Sequence, residues 1–591
     1  MIHRFYRSTL CVCIVLTMLI LSACGGGTAV NTSSRQEAPA AAEQPAVSLS
    51  AEEGSMTETE SDAQISTDDD TSANEEVPVE ETTAEELPAE ELAAEDVPAS
   101  GAGTAPDDEA DAEQAPVEET AEDVFIDSPE TATDNLVDEA PVVEAPRQIE
   151  VNPFIQTSQD HLSTFALDVD TASYASARNH ITSDQFPSPD TVRVEEFVNY
   201  FDYNYPAPEQ DAFGIYVDAT TTPFGSAETH IARVGIQGKA INAHQREKAS
   251  LTFVIDVSGS MDGHNRLPLV KESLSLLVEE LNDDDQVAIV VYGSTAHTIL
   301  EPTSMARKDV ILRAINAVEI EGSTNAEAGL QLGYKLASEH FQNDAINRVI
   351  LCSDGVANVG ATDPEAIRET IRDYTAQGVY LTTVGFGMGG YNDYMMEQLA
   401  NDGNGNYAYV DTLDEAQRVF VENLTGTLQV IAKDAKLQVE FNQDVVERYR
   451  LLGYENRDVA DADFRNDRVD AGEVGAGHNV TALYEIVLRE QSNGIAFTVR
   501  MRYADPETGE VRELAVPFER DAMNQDFSSA APSLQLAVAV AGFAEQLRGS
   551  GYEQNYTLND VYEVSQQIAP QFANDTDVQE FIQLVERAQR L

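Results

Sequence analysis

Basic residues are scarce in this chain. Of its 591 residues, 35 are Lys or Arg against 104 Asp or Glu, a formal net charge of −69. Nucleic-acid backbones are held by clustered Lys and Arg. No such cluster occurs, which argues against a nucleic-acid partner. The same charge opposes docking of the polypeptide itself on an anionic membrane surface. Cysteine is rarer still, at four residues, which excludes a disulfide-rich scaffold. Long apolar runs are missing too. Leu10–Leu21 and the short run Leu536–Ala541 both fall well below the roughly 20 residues that cross a bilayer. There is no internal repeat, no His-Glu-x-x-His, no Cys/His zinc spacing and no Gly-x-Ser-x-Gly. At roughly 150 residues per domain, the length leaves room for more than one.

The amino terminus reads as a targeting segment. Arg4 and Arg7 precede the apolar run, which ends in Leu21-Ser22-Ala23-Cys24 and then Gly25-Gly26-Gly27. A run of about a dozen residues suits the core of a signal peptide. Leu-Ser-Ala-Cys resembles a bacterial lipobox. The resemblance implies a signal peptide over 1–23, cleavage before Cys24, and lipid on the Cys24 sulfur and its new amino group. An ordinary secretory signal with a chance cysteine is the other reading. Two or more acyl chains anchor stably, so the expected location is extracytoplasmic, lipid-anchored to a bacterial cell membrane or outer membrane. Cys11 and Cys13 leave with the signal, so no disulfide is expected.

Residues 24–149 are dominated by Ala, Glu, Asp, Pro, Thr and Ser. Within 51–150 lie 34 of the 104 acids and a single basic residue, Arg147. So little apolar area cannot offset ordering entropy, and the charges repel one another. The composition predicts a disordered tether with a reach of roughly 60 Å or more. Weak calcium binding by its acids is a rival reading, but no regular ligand spacing is visible.

Three blocks follow. Block one, 150–248, predicts a strand over Ser163–Asp170, helices over Thr171–Ile181 and Asp190–Phe201, and strands at Ile215–Ala219 and His230–Gly238. Asp168 and Asp170 invite comparison with phosphatases that use Asp-x-Asp-x-Thr. Ala172 breaks that pattern, and the pair is expected to cap the following helix. Block two, 249–432, alternates strands and helices: Leu251–Val257, Leu267–Leu281, Gln286–Tyr292, Arg307–Ala317, Ala326–Glu339, Asn347–Ser353, Pro364–Ala376, Tyr380–Gly385, Asp393–Asn401, Gly405–Val410 and Thr412–Thr425. Such alternation predicts an α/β fold with a doubly wound, mostly parallel sheet and ligands at the strands' carboxyl ends. Block three, 433–591, predicts five strands and then helices near Ala531–Arg548, Leu558–Ile568 and Asp577–Leu591.

One constellation in block two carries chemistry. The strand Leu251–Val257 runs into Asp256-Val257-Ser258-Gly259-Ser260. A loop holds Glu321-Gly322-Ser323-Thr324-Asn325, and a second apolar strand ends in Ser353-Asp354-Gly355. Two carboxylates and three hydroxyls converging from three loops form an all-oxygen set. That set suits near-octahedral Mg2+, and Mn2+ accepts the same geometry. This pattern resembles the von Willebrand factor type A domain, whose metal-ion-dependent adhesion site is Asp-x-Ser-x-Ser, then Thr, then Asp. The matching residues are Asp256, Ser258, Ser260, Thr324 and Asp354. The resemblance implies direct ligation by Ser258, Ser260 and often Thr324, with Asp256 and Asp354 acting directly or through water. It implies Mg2+, with Mn2+ or Ca2+ as alternatives, and a protein partner whose Glu or Asp completes the shell. The flanks resemble those of bacterial von Willebrand factor A lipoproteins, through Phe165–Tyr174 and Val192–Tyr205 before the domain and Tyr449–Ala462 and Gly477–Leu488 after it. Chain order then leads us to expect blocks one and three to share a β-sandwich into which block two is inserted.

The remaining candidates are weaker. Asp402–Asn406 starts like a calcium-binding EF-hand loop, but Tyr407 and Leu413 replace the required Gly and Glu, leaving a turn before a strand. Gly385–Gly390 is glycine-rich without the dinucleotide-binding spacing. His264 is expected in a solvated loop and Cys352 in a buried strand. Ser258 has no His or Lys base in its motif, so no small-molecule substrate or catalytic residue is evident. The sequence therefore predicts a non-enzymatic, lipid-anchored protein-binding module. Alternatives are an envelope structural element whose metal stabilises loops and, more remotely, a metal-dependent hydrolase.

Overall fold

The computed structural model describes residues 150–591, apart from 227, 356–363 and 388–392. Cys24, the signal segment and the acidic stretch lie outside the described residues.

The chain before the motif contributes strands β1 (Ile155–Gln156), β2 (Leu162–Ala166), β3 (Phe213–Thr221) and β4 (Thr229–Gly238), with helices α1 (Ala172–Thr182) and α2 (Val194–Asn199) between them. Next come β5 (Ala249–Asp256), α3 (Leu267–Glu280), β6 (Gln286–Tyr292), β7 (Ala296–Ser304), α4 (Lys308–Ala317) and α5 (Ala326–Glu339). They are followed by β8 (Ile346–Ser353), α6 (Pro364–Thr375), β9 (Val379–Phe386), α7 (Asp393–Asp402) and β10 (Tyr407–Val410). Short helices α8 (Leu413–Gln417) and α9 (Leu424–Leu428) lead to β11 (Val430–Phe441), β12 (Val446–Leu452), β13 (Gly472–Gly475), β14 (Asn479–Leu488), β15 (Ile495–Ala504) and β16 (Val511–Glu519). Helices α10 (Pro532–Arg548), α11 (Leu558–Ile568) and α12 (Thr576–Ala588) close the chain.

The central sheet has the order β10-β9-β8-β5-β6-β7 and is parallel except for β7, which runs antiparallel to β6. Helices cover both faces, so β5 is buried along its whole length and reads as a continuous apolar run rather than an alternating one. One face packs Phe253, Ile255, Leu274 and Ile289, and the other packs Val254, Val290, Tyr334 and Leu351. The strands' carboxyl ends therefore meet at one edge of the layer, where the three motif loops emerge.

Strands from before and after this unit pair with one another. β2 lies antiparallel on β11, with Phe165 opposite Leu437, and β4 lies antiparallel on β14, with Val234 opposite Ala482. The two sheets, β1-β12-β14-β4-β3 and one built on β13-β11-β15-β16, enclose Phe165, Phe441, Tyr449, Tyr484 and Phe497. The α/β unit is thus inserted between strands of a sandwich. A separate apolar cluster joins α2 to the terminal helices through Phe197, Phe201, Phe543 and Phe581. Leu536–Ala541 is part of the buried helix α10, and no helix among the described residues is long and apolar enough to cross a membrane.

Several elements differ from the sequence expectation. The helix expected over 190–201 is split into a 3-10 turn at Pro189–Thr191 and α2. Val192 and Arg193 between them are extended, and both are buried. The helix expected over 412–425 becomes α8, a π turn at Arg418–Glu422 and α9. Strand β7 was not anticipated, because Pro302 and mixed polarity hide an edge strand. Asp168 and Asp170 do not cap α1. Thr171 holds the cap position without a side-chain bond, and Glu196 takes the Ser173 N–H at 2.7 Å. The two aspartates face Arg457 instead, at 3.0 and 3.4 Å.

Candidate metal centre

Asp256 is the last residue of β5, and its side chain is completely buried. Both carboxylate oxygens hold the loops in place. Oδ1 accepts the Ser258 backbone N–H at 2.8 Å, and Oδ2 accepts the Ser353 hydroxyl at 3.0 Å. The first bond folds the Asp-x-Ser turn back on the strand end, and the second ties β5 to β8. Ser258 then turns its Oγ to within 2.9 Å of Ser260 Oγ, and Ser260 Oγ donates to Asp354 Oδ1 at 3.0 Å. Four of the five motif residues are therefore linked through hydrogen bonds, two of them through side chains spanning 94 positions in sequence.

Thr324 comes from the loop before α5. That loop is pinned by backbone contacts: Gly259 N–H donates to the Gly322 carbonyl at 3.0 Å, and Glu321 N–H donates to the Val257 carbonyl at 2.6 Å. Ser323 N–H donates to Ser294 Oγ at 3.0 Å, tying the loop to the β6–β7 connection as well. Thr324 is half-buried beside this contact, without a side-chain hydrogen bond to the other four among the described residues. A left-handed backbone at Gly322 (φ 67°) permits the turn, and a Cβ there would lie 2.2 Å from Ser294 Oγ.

Burial pushes the Asp256 carboxyl above the usual range, partly offset by its bonds to Ser258 and Ser353. Burial also raises Asp354, opposed by the Ser260 bond and reinforced by the charge of Asp256. Two such carboxylates linked to the Ser258 and Ser260 hydroxyls make a hard, anionic oxygen site, the chemistry that Mg2+ and Mn2+ select. Asp256 is engaged by protein on both oxygens, as is Asp354, so either carboxylate would act directly or through water. Ser258, Ser260 and Thr324 would be the direct donors. Among the described residues, no group of three His, Cys, Asp or Glu is placed to hold a metal, so a cation here depends on the hydroxyls.

Two neighbours were not singled out from sequence. Ser353 orients Asp256, and its place directly before Asp354 was the available signal. Arg266, the residue before α3, donates to the Ser260 carbonyl and lies 3.4 Å from Asp354 Oδ2. Nothing in the pattern of the motif marks it. Other candidates take structural roles. His264 is exposed, and Cys352 is buried with its thiol pushed well up by burial. Asp402 pairs with Arg368 and Arg372 at 2.5 and 2.9 Å, at the turn before β10.

Comparison with known proteins gives three family-model matches. The description "Uncharacterized protein YfbK, C-terminal" matches residues 426–496 and 489–591, "von Willebrand factor" matches 143–232, and "von Willebrand factor type A domain" matches 251–356. The uncharacterized protein YfbK of Escherichia coli (strain K12) is 38% identical over 471 residues, covering 75% of this chain and 80% of that protein. Inter-alpha-trypsin inhibitor heavy chain H3 of Homo sapiens is 26% identical over 269 residues, 42% of this chain and 29% of that protein. Among solved structures, a von Willebrand factor type A protein from Catenulispora acidiphila covers 63% of this chain and 89% of its own, at 14% identity and a TM-score of 0.39. Domains of the matched type commonly mediate protein interaction.

Proposed function

This chain belongs to the YfbK family and carries a von Willebrand factor type A domain, and on that premise we propose that it is a lipid-anchored, extracytoplasmic protein-binding module. Its adhesion site holds Mg2+, or Mn2+ or Ca2+ in its place, through Ser258, Ser260 and Thr324, with Asp256 and Asp354 acting directly or through water. A Glu or Asp of a protein partner completes the metal shell, and the surrounding loops set which partner fits. Cys24 carries the lipid, and the acidic stretch after it holds the binding head away from the membrane.

The observation that supports this reading best is the Ser258–Ser260–Asp354 hydrogen-bonded chain, set on a buried Asp256 at the carboxyl edge of a parallel sheet. Ligands gather at that edge in open α/β sheets. We assign no catalytic step to it. Ser258 Oγ is bonded to another hydroxyl, which cannot serve as the base a nucleophilic serine requires.

The test is a pull-down from detergent-solubilised envelope with the full-length chain, wild type against Asp256→Ala, each in Mg2+ and in EDTA. A partner retained by wild type in Mg2+ and released by EDTA or by the substitution is the expected result. Equal recovery in all lanes would sink the adhesion mechanism and favour a structural head whose metal stabilises loops.

A further inference from the structure

Among the described residues, the polar contacts of the Arg266 side chain are with Ser260, Asp354 and Gly387. Nη1 donates to the Ser260 carbonyl and lies 3.4 Å from Asp354 Oδ2, and Nη2 donates to the carbonyl of Gly387, just past β9, at 3.2 Å. Asp354 Oδ1 is meanwhile taken by Ser260. Both oxygens of this carboxylate are therefore committed, one to a ligand hydroxyl and one to a fixed positive charge. The Asp354 side chain is 8% exposed while that of Arg266 is 33% exposed, so the guanidinium reaches a largely buried carboxylate.

The chain builds this placement deliberately into its backbone. Arg266 precedes α3 and donates its own N–H to the Gly263 carbonyl at 3.1 Å, which anchors the base of the arm. The arm then crosses Gly387, where φ is 59°. A Cβ there would lie 2.6 Å from Arg266 Cγ and 2.8 Å from Nε, so a glycine is needed for the arm to reach the site.

We infer that Arg266 is a tethered competitor for the metal centre, a cation of the chain itself that weakens divalent-ion binding by sharing Asp354. This rests on the reading of Asp256, Ser258, Ser260, Thr324 and Asp354 as a metal site. A divalent ion on Asp354 meets the guanidinium across a single carboxylate. Their repulsion lowers affinity, because a partly exposed site still has an effective dielectric well below that of water. A site held at modest affinity in this way fills and empties with the surrounding ion concentration.

The test is Mn2+ titration of the full-length chain in detergent, followed by calorimetry and by the loss of the free-ion electron paramagnetic resonance signal. Neither readout depends on a partner. Removing the charge by Arg266→Gln or Arg266→Ala tightens Mn2+ binding by about tenfold, while Arg266→Lys stays near wild type. Mn2+ binding by both neutral variants that is no tighter than wild type overturns the inference and leaves the metal site standing. If neither the wild type nor any variant binds Mn2+, the metal reading itself falls, and this inference falls with it.

Discussion

Arg193 Nη1 lies 2.6 Å from Asp393 Oδ2 with both side chains buried, and this pair joins the segment before the inserted α/β unit to the first residue of α7 within it. Glu196 and Glu397 also face Arg193, the latter at 3.5 Å. Arg457, from the sandwich, reaches Glu397 at 3.7 Å in addition to Asp168 and Asp170. Side chains from all three sequence blocks thus meet in one buried ionic network. Removing Asp393 strips one of three carboxylates from the buried Arg193, and losing a charged hydrogen bond of this kind costs about 1.5–3 kcal/mol. Asp393→Ala is expected to lower unfolding free energy by that amount in urea titration, and a loss below about 1 kcal/mol would contradict the picture.

A second expectation concerns Gly235 in β4. The Tyr205 ring lies over it, so that a Cβ would sit 2.2 Å from the ring carbon Cζ. Tyr205 in turn reaches Thr481 Oγ1 of β14 at 3.0 Å and stacks on Tyr216 at 5.5 Å between centroids. Gly235→Ala must displace a ring that bridges strands from both sides of the insertion. Overpacking of this kind costs about 1–3 kcal/mol, and Tyr205→Ala in the same background should recover part of the loss in thermal melting.

How much of this was legible in the sequence follows from where the information lies. The parallel sheet was visible because buried strands such as β5 and β8 are unbroken apolar runs, and four of the five motif residues, all but Thr324, stand at or just past their ends. The shared sandwich could be guessed only from chain order, because pairing of Phe165 with Leu437 leaves no local trace. The split before α2 was hidden for a different reason. Arg193 is extended so that it can reach Asp393, 200 positions away, and helical periodicity cannot report a long-range ion pair. Arg266 escaped notice because its role at Asp354 is set by the path of its arm over Gly387.

The fold should also be less stable at higher pH. Burial pushes Glu195 up to about 7 and Glu196 up to about 8, with the charges of Glu455 and Glu397, respectively, adding to the effect. A carboxyl raised in the folded state holds protons that the unfolded chain has already released. Its stabilising contribution is therefore full below its ordinary value near 4.5 and is lost as pH rises through about 7 to 8. Urea midpoints measured from about pH 5 to about pH 9 should fall across this window, and Glu195→Gln should flatten the fall. A midpoint that rises with pH over the same range would contradict it.

Ser353 offers a test of how the site is supported. Its hydroxyl donates to Asp256 Oδ2, so Ser353→Ala frees the buried carboxylate to rotate. Loss of such an outer partner typically costs about 10–100-fold in metal affinity. Mn2+ titration of Ser353→Ala should show a weakening in that range, with the fold retained by circular dichroism. Unaltered affinity would mean that Asp256 needs no orienting partner.

The most direct measurement of the central claim is the binding of Mn2+ to the full-length wild-type chain against Asp256→Ala, with Mg2+ as competitor. One Mn2+ site per chain is expected, displaced by Mg2+ and lost in Asp256→Ala while the fold persists by circular dichroism. Binding that is absent from the wild type, or equal in the two proteins, would contradict it.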